Sequence, residues 1–175
     1  MNAGLRAATR GGAASPARRE YLSHWQLDAP PDAVWSALAR VEDWPSWWRF
    51  VRSVRTLRDG QRGGDAEGLG AIRRIDWSSR LPYGFTLDVE VVESQRPHRL
   101  CGHASGGLEG TGLWQLQPDG GTTHVHYSWR LALNTRWMRV AAPIMSPLFR
   151  WNHEGVMHAG ALGLARKLRV RLLRG

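Results

Sequence analysis

Cysteine is all but missing from this sequence: Cys101 is the only one among 175 residues. A lone thiol excludes an internal disulfide and leaves no thiolate cluster for a structural zinc, a usage that suits a reducing cytoplasm. Long apolar runs are missing as well. No stretch of about 18 uninterrupted apolar residues occurs, which speaks against a membrane-spanning helix. Residues 1–19, MNAGLRAATRGGAASPARR, lack the apolar segment of a secretory signal. That stretch reads as a disordered basic tail, followed by a single domain over residues 20–170 and a short basic end at 171–175.

Acids are missing from both ends. Residues 1–19 carry four cations, residues 166–175 carry five, and neither stretch has an acid, while residues 20–165 balance 15 cations against 15 anions. The whole net charge of +9 therefore sits in the ends. A duplex-reading domain would carry its basic stripe on the folded surface, and a single-strand binder would interleave cations with exposed aromatics. Neither pattern is present, so nucleic acid is not an expected partner. Weak contact of the basic ends with an anionic membrane surface is. Leu164, Leu168 and Leu172 recur every four residues and read as the last amphipathic turns of a terminal helix.

What is plentiful is tryptophan, ten in all. The first alternation, Tyr21, Ser23, Trp25 and Leu27, predicts a strand. In APPDAVWSALARV, Pro31 suits the first helical position, Asp32 suits the helix N-terminus, and Val34, Leu38 and Val41 share a face. Asp43 is placed to cap a second short helix, in which Trp44, Trp47, Trp48 and Val51 stand at i, i+3, i+4 and i+7. Six further stretches alternate with period two: VRSVRTLRDG, GAIRRIDWS, FTLDVEVVES, HRLCGHAS, TGLWQLQP and TTHVHYSWRLAL. Short Gly-, Pro- and Asp-rich connections make them antiparallel neighbours. The chain from Arg136 onward is helical, with a break or kink expected near Pro143 and Pro147.

Alternation also assigns faces. Val125, Tyr127, Trp129, Leu131 and Leu133 are predicted inward, as are Phe85, Leu87, Val89 and Val91, and Gly112, Trp114 and Leu116. Ile75 and Trp77 turn inward too and carry Arg73 with them. A buried arginine must be paired or solvated. Either a carboxylate meets it, with Glu109 of LEGTG a candidate, or it reaches solvent at the rim, or the interior is wet and holds a polar ligand group. Five glycines in CGHASGGLEGTG, and Gly155, Gly160 and Gly163 in the long helix, signal close packing or room for a ligand. Beside Trp25, Trp35, Trp77, Trp114 and Trp129, they suggest an aromatic-walled pocket.

Motifs for metal, phosphate or nucleophile chemistry are missing. His124 and His126 share the outward face of their strand, without a carboxylate to complete a ligand set. His153 and His158 stand five apart, off the spacing of a zinc-binding helix. GLGAIRR and GGLEGTG lack the lysine and the strand-to-helix setting of a phosphate loop, and no elbow anchors a nucleophilic serine. No metal and no cofactor is expected.

Three stretches carry a family resemblance: APPDAVWSALARVEDWPSWW, GLEGTGLWQLQPDGGTTHVHYSWRL and APIMSPLFRWNHEGVMHAGALGLARKL. In them the chain resembles the START-like, or helix-grip, superfamily (SRPBCC), in its polyketide cyclase/dehydrase-like branch. The resemblance implies an α+β helix-grip fold. Its seven-stranded curved antiparallel sheet would wrap around a long C-terminal helix, with two short helices between strands 1 and 2. That is the order of elements the periodicity predicts.

The same resemblance implies a cavity between sheet and helix, and members of the superfamily hold lipids, sterols, plant hormones or aromatic polyketides there. The implied function is binding or transport of a hydrophobic, aromatic or lipid-like small molecule. The alternative is a polyketide cyclase or aromatase that uses cavity groups for aldol cyclisation or dehydration. Arg73 and Tyr127 are the matching chemical types at inward positions, with Glu109 a third catalytic candidate. No sequence motif separates the enzyme from the carrier. Ligand contact is expected from Trp35, Arg73, Trp77, Trp114, Tyr127, Trp129, Asn152 and Met157. The stripe of Trp44, Trp47 and Trp48 is expected to pack beneath Leu148 and Trp151 and to close one mouth of the cavity.

Overall fold

A computed structural model describes residues 18–80, 83–132 and 136–175, with the backbone alone at 18 and 136–146. Almost all of the expected basic tail, and Leu133, lie outside the described residues. The chain begins with strand β1 (Arg18–Leu27) and helix α1 (Pro31–Ala39), then a 3₁₀ turn (Val41–Asp43) and the one-turn helix α2 (Trp44–Trp47). Six strands follow: β2 (Val51–Arg58), β3 (Ile72–Ser78), β4 (Gly84–Gln95), β5 (Arg99–Gly106), β6 (Gly110–Asp119) and β7 (Thr122–Ala132). Helix α3 (Arg136–Leu168) and strand β8 (Leu172–Arg174) complete it.

All pairings are antiparallel, in the order β2-β3-β4-β5-β6-β7-β1-β8. This is the α+β helix-grip arrangement, with eight strands where the sequence predicts seven. The eighth comes from the C-terminal end. Helix α3 stops at Leu168 because Arg169 turns into the left-handed region (φ 57°), and Leu172 then pairs with Leu27 of β1 instead of extending the helical stripe. Without β8 the outer edge of β1 would present unpaired backbone. Arg171 secures the turn through the Asp28 carboxylate at 2.9 Å. At the opposite kind of connection, Gly120 and Gly121 both have positive φ and close the β6–β7 hairpin in two residues.

Three local expectations change. Asp43 makes no capping hydrogen bond. Its carboxylate instead faces Lys167 at 3.8 Å, because a one-turn helix leaves little to cap. Pro143 and Pro147 fall inside α3 without dividing it. Each removes one backbone donor, which can bend a helix without ending it. The tryptophan stripe meets α3 two to three turns beyond Leu148 and Trp151, both of which are exposed.

That last contact organises the core. Trp48 is 1% exposed and its indole N–H donates to the Val156 carbonyl at 2.9 Å. Its ring fills the notch at Gly160, where an added Cβ would stand 2.5 Å from the indole. One turn on, a Cβ at Gly163 would collide with the Trp47 carbonyl. Trp44, Trp47, Trp25, Trp77 and Trp114 all place rings within 6.2 Å of Trp48, three of them edge-on. Met157, Ala161 and Leu164 of α3 bury against the same cluster.

His153 lies deeper in the fold than its sequence setting suggests. Its ring sits 5.2 Å from Tyr21 and 6.3 Å from Tyr127, and Nε2 is 3.4 Å from the Ser23 hydroxyl. Burial pulls its pKa down to about 4. The unfolded chain takes up a proton there below about pH 6.5, whereas the folded chain refuses it until far lower pH. Stability therefore falls as pH drops through this window.

Two outcomes follow for folding. In a free helix Gly160→Ala would stabilise by about 1 kcal/mol, but here overpacking against Trp48 should destabilise by about 2 kcal/mol. Gly155→Ala should keep the gain, because only the flexible Arg80 side chain must move. Urea unfolding of the two variants checks the opposite signs. Lowering pH from about 6.5 to about 5 should remove roughly 2 kcal/mol through His153. His153→Gln should lose that part of the slope and leave the smaller share from His24, whose pKa burial and the neighbouring His126, His124 and Arg174 also depress.

Candidate ligand cavity

The concave face of β3 to β7 does not pack solidly under the Val41–Asp43 turn and α2. A hollow of about 90 Å³ remains there. Strand alternation supplies its floor: Ile75 and Trp77 from β3, Leu87 and Val89 from β4, Trp114 from β6, Tyr127 and Trp129 from β7. Val41 and Trp44 form the roof. The wall is almost wholly apolar, and its polar atoms are few enough to take one at a time.

Tyr127 lies between Trp114, at 4.1 Å, and His153. Its ring rests on Gly112, where a Cβ would stand 2.8 Å from the hydroxyl. Burial first, and the neighbouring Cys101 second, push the phenol well above its ordinary pKa, so it stays protonated. Among the described residues its hydroxyl has no hydrogen-bond partner. Trp77 Nε1 is buried and likewise unpartnered, as is Trp47 Nε1 outside the cavity wall. A buried donor without an acceptor costs about 1–3 kcal/mol.

Arg73 lays its stem along the cavity wall and is 16% exposed at the side chain. Its Nε donates to the Glu42 carboxylate in a very short contact, and Nη1 donates to the Arg58 carbonyl at 2.7 Å. Burial would raise the Glu42 pKa. Its own backbone N–H, Arg73 and the Thr56 hydroxyl together outweigh that and hold it below the carboxylate range. The arginine is thus paired at the rim, and its partner is Glu42. Glu109 is exposed in the β5–β6 turn, where its carbonyl accepts from Ala132 N–H at 2.9 Å. It does not line the cavity.

Of the expected ligand contacts, Arg73, Trp77, Trp114, Tyr127 and Trp129 line one hollow together. Trp35 and Met157 are buried in the core beside it. Asn152 turns its Oδ1 to the Arg80 backbone N–H at 2.9 Å. The sequence reading sets Trp44 at one mouth of the cavity without counting it among the ligand contacts, and passes over Glu42 and Cys101. Trp44 was visible in the aromatic stripe, but nothing local in the sequence pairs Glu42 with a strand 31 residues away. Of the two roles expected of the glycines, close packing is the one seen at Gly102 and Gly112. Gly102 and Gly112 are Cα partners in the wall, yet Val89 and Tyr127 lie directly on them. Missing side chains let the neighbours approach, and the hollow is what those large neighbours leave between them.

On the outer face, His124 and His126 stack with His24 at 5.2 and 4.4 Å, ring on ring. His24 Nε2 and His124 Nδ1 share a hydrogen bond at 3.0 Å, and His124 Nε2 faces the Asp119 carboxylate at 3.2 Å, a carboxylate the sequence reading did not find, so the nitrogens of His124 are engaged within the protein. Among the described residues no group of three His, Cys, Asp or Glu side chains is arranged to hold a metal ion, and no helix is long and apolar enough to cross a membrane.

Solved structures share this architecture. The Zhui aromatase/cyclase from Streptomyces sp. R1128 is 14% identical, with a TM-score of 0.68 over 87% of this chain and 94% of that one. A START superfamily protein from Mycobacterium smegmatis is 11% identical, with a TM-score of 0.68 over 86% of this chain and 97% of that one. The di-domain ARO/CYC BexL of the BE-7585A biosynthetic pathway is 18% identical, with a TM-score of 0.65, and the match spans 86% of this chain and 49% of that one. At these identities the likeness is one of fold. No curated protein matches the chain in sequence. The family model described as polyketide cyclase / dehydrase and lipid transport matches residues 23–169, and the chain belongs to that family.

Proposed function

We propose that this chain binds and carries an apolar, ring-bearing or lipid-like small molecule that presents an oxygen acceptor to the cavity wall. The observation that carries the reading is a hollow with a mostly aromatic and aliphatic wall that holds the buried, unpartnered Trp77 Nε1 and the Tyr127 phenol. A carbonyl or phenolic oxygen that reached either donor would relieve a desolvated group. The rings of Trp44, Trp114 and Trp129 offer faces and edges for stacking. Fold alone does not set a ligand, so the reading rests on these side chains.

Size adds a dynamic requirement. At about 90 Å³ the hollow is smaller than a ~150 Å³ cavity that holds benzene, and far below the ~300 Å³ at which pockets for drug-sized ligands begin. Entry therefore needs the roof to lift. The roof segment is short, and besides its buried tryptophans it is tethered by the Glu42 contacts to Arg73 and Thr56. Opening it would release the Arg73 guanidinium towards an incoming polar group.

A second reading, polyketide cyclase or aromatase activity, is favoured by that same release. A protonated Tyr127 could donate to a forming alkoxide or enolate while Arg73 stabilises its charge. The attacking α-carbon loses its proton to water, the new alkoxide takes the phenol's proton, and the hydronium so formed returns a proton to the phenolate. Zhui and BexL are named as aromatase/cyclases, which directs the choice of trial substrate.

Native mass spectrometry after mild purification, with tryptophan-fluorescence titration of aromatic ketones and fatty acids, tests the first reading. Tyr127→Phe should weaken binding about five- to tenfold without loss of thermal stability. A chain indifferent to every such ligand would sink the proposal. Glu42→Gln should speed ligand association several-fold by loosening the roof, as read in stopped-flow fluorescence. Unchanged association would exclude that route of entry. If poly-β-keto chains are cyclised, Tyr127→Phe and Arg73→Met should each abolish turnover, and full activity in either removes that residue from the chemistry.

A further inference from the structure

The geometry points to a pH-operated latch on the convex face of the sheet: the pair of His24 and His124 holds β8 against β1 at neutral pH and releases it on taking up one proton. Four side chains form a single line of hydrogen bonds there. Arg174 Nη1 lies 3.5 Å from His24 Nδ1, His24 Nε2 lies 3.0 Å from His124 Nδ1, and His124 Nε2 lies 3.2 Å from the Asp119 carboxylate. The line runs from β8 through β1 and β7 to the last residue of β6. Its two ends fix its direction, because a guanidinium only donates and a carboxylate only accepts. His124 therefore carries its proton on Nε2 and His24 does the same, which leaves His24 Nδ1 as the acceptor for Arg174.

No further proton can enter this pair without reaching Arg174. The neutral rings hold two protons, one shared between them and one against Asp119, and His24 Nδ1 has the last lone pair. Wherever the added charge settles, on His24 or on His124, Nδ1 becomes an N–H that faces a guanidinium. An acceptor is lost and two cations are set together. His126, the register partner of His24 on β7, stacks on it at 4.4 Å, and a proton there opposes another on His24. Asp119 sits at the far end of the line, beyond the His124 ring, and cannot screen Arg174 from His24. Burial first, then His126, His124 and Arg174, hold the His24 pKa down. Undocking takes Arg174 away, so His24 is more basic in the released state and falling pH favours release.

Strand β8 is built to yield. It has three residues, pairs with β1 at Gln26 and Leu27 with a register shift between them, and leaves Leu173 45% exposed, although Leu172 packs against the core. Just before it, Arg171 holds the Asp28 carboxylate at 2.9 Å and its carbonyl accepts from the Asp28 N–H at 3.0 Å, contacts that contain no imidazole. Release therefore hinges at Arg171 and bares the outer backbone edge of β1. The latch lies on the opposite face of the sheet from the cavity and does not rest on the ligand reading.

Nitrogen-resolved NMR of the full chain gives the test. At about pH 7.5 the ring spectrum should show His24 and His124 both protonated on Nε2; a proton on His24 Nδ1 contradicts the proposal outright, and this measurement needs no variant. Hydrogen exchange of the β8 amides, corrected for intrinsic rate, then reads the released fraction. Protection should fall about fivefold between about pH 7.5 and about pH 5.5, since one linked proton with a released-state pKa near 6.5 sets a ceiling of about tenfold. It should also stay far below that of the Trp48 indole, as local opening requires. His24→Phe keeps a ring to stack on His126 but cannot titrate, and should show the same protection at both pH values. Arg174→Gln should stay docked at both, because its amide can donate to Nδ1 or accept from Nδ1–H. His153→Gln should release β8 as the parent does. The latch is overturned by protection in β8 that does not change with pH in the parent, or that equals that of the Trp48 indole. It is equally overturned if the pH response survives in His24→Phe or Arg174→Gln, or vanishes in His153→Gln.

Discussion

One ring in one notch sets the spacing of the whole molecule. The Trp48 indole lies in the gap left by Gly160, donates to the Val156 carbonyl, and touches five other tryptophans. A helix with a side chain at that position could not come so close, and a smaller ring would let the sheet collapse onto it. Because the linking groups are rigid planes meeting edge to face, they hold helix and sheet apart farther along the concave face, where no comparable residue fills the space. The hollow is a consequence of how the core is wedged.

From that wedge follows the chemistry of the wall. Trp44 and Trp77 contribute to the core cluster on one side and to the cavity on the other. Tyr127 is clamped between Trp114 and His153, so its hydroxyl cannot swing away to find a partner in the protein. Arg73 is held at the rim by Glu42, itself almost half exposed, and by the Arg58 carbonyl. An ion pair whose carboxylate is this open to solvent contributes little to stability, which makes it a weak tether. The site thus combines fixed donors below with a movable charge at the rim.

Much of this could be read along the chain. Period-two alternation placed Val125, Tyr127 and Trp129 on the concave face and His124 and His126 on the convex one, because one face of the sheet is buried and the other is wet. Pro31 marked the start of α1 for a local reason, and the order of elements was enough to recognise the fold. What escaped the sequence were relations set by tertiary distance. The Arg73 partner comes from a turn 31 residues earlier. The tryptophans meet α3 at Gly160 and Gly163 because helix phase and strand curvature combine, and neither is visible in a stripe of spacings. Leu172 continued a helical rhythm until the free edge of β1 offered its backbone a better partner. The depth of His153 depends on Tyr21, Ser23 and Tyr127, none of them near it in sequence.

The claim under all of this is that the Trp48 indole is locked between sheet and helix. Hydrogen exchange of its N–H, followed by nitrogen-resolved NMR of the intact protein, tests that lock directly. The account predicts exchange as slow as that of the central strand amides, proceeding only by global unfolding. Exchange as fast as that of the exposed Trp151 indole would contradict it, because the wedge that keeps the cavity would then be absent.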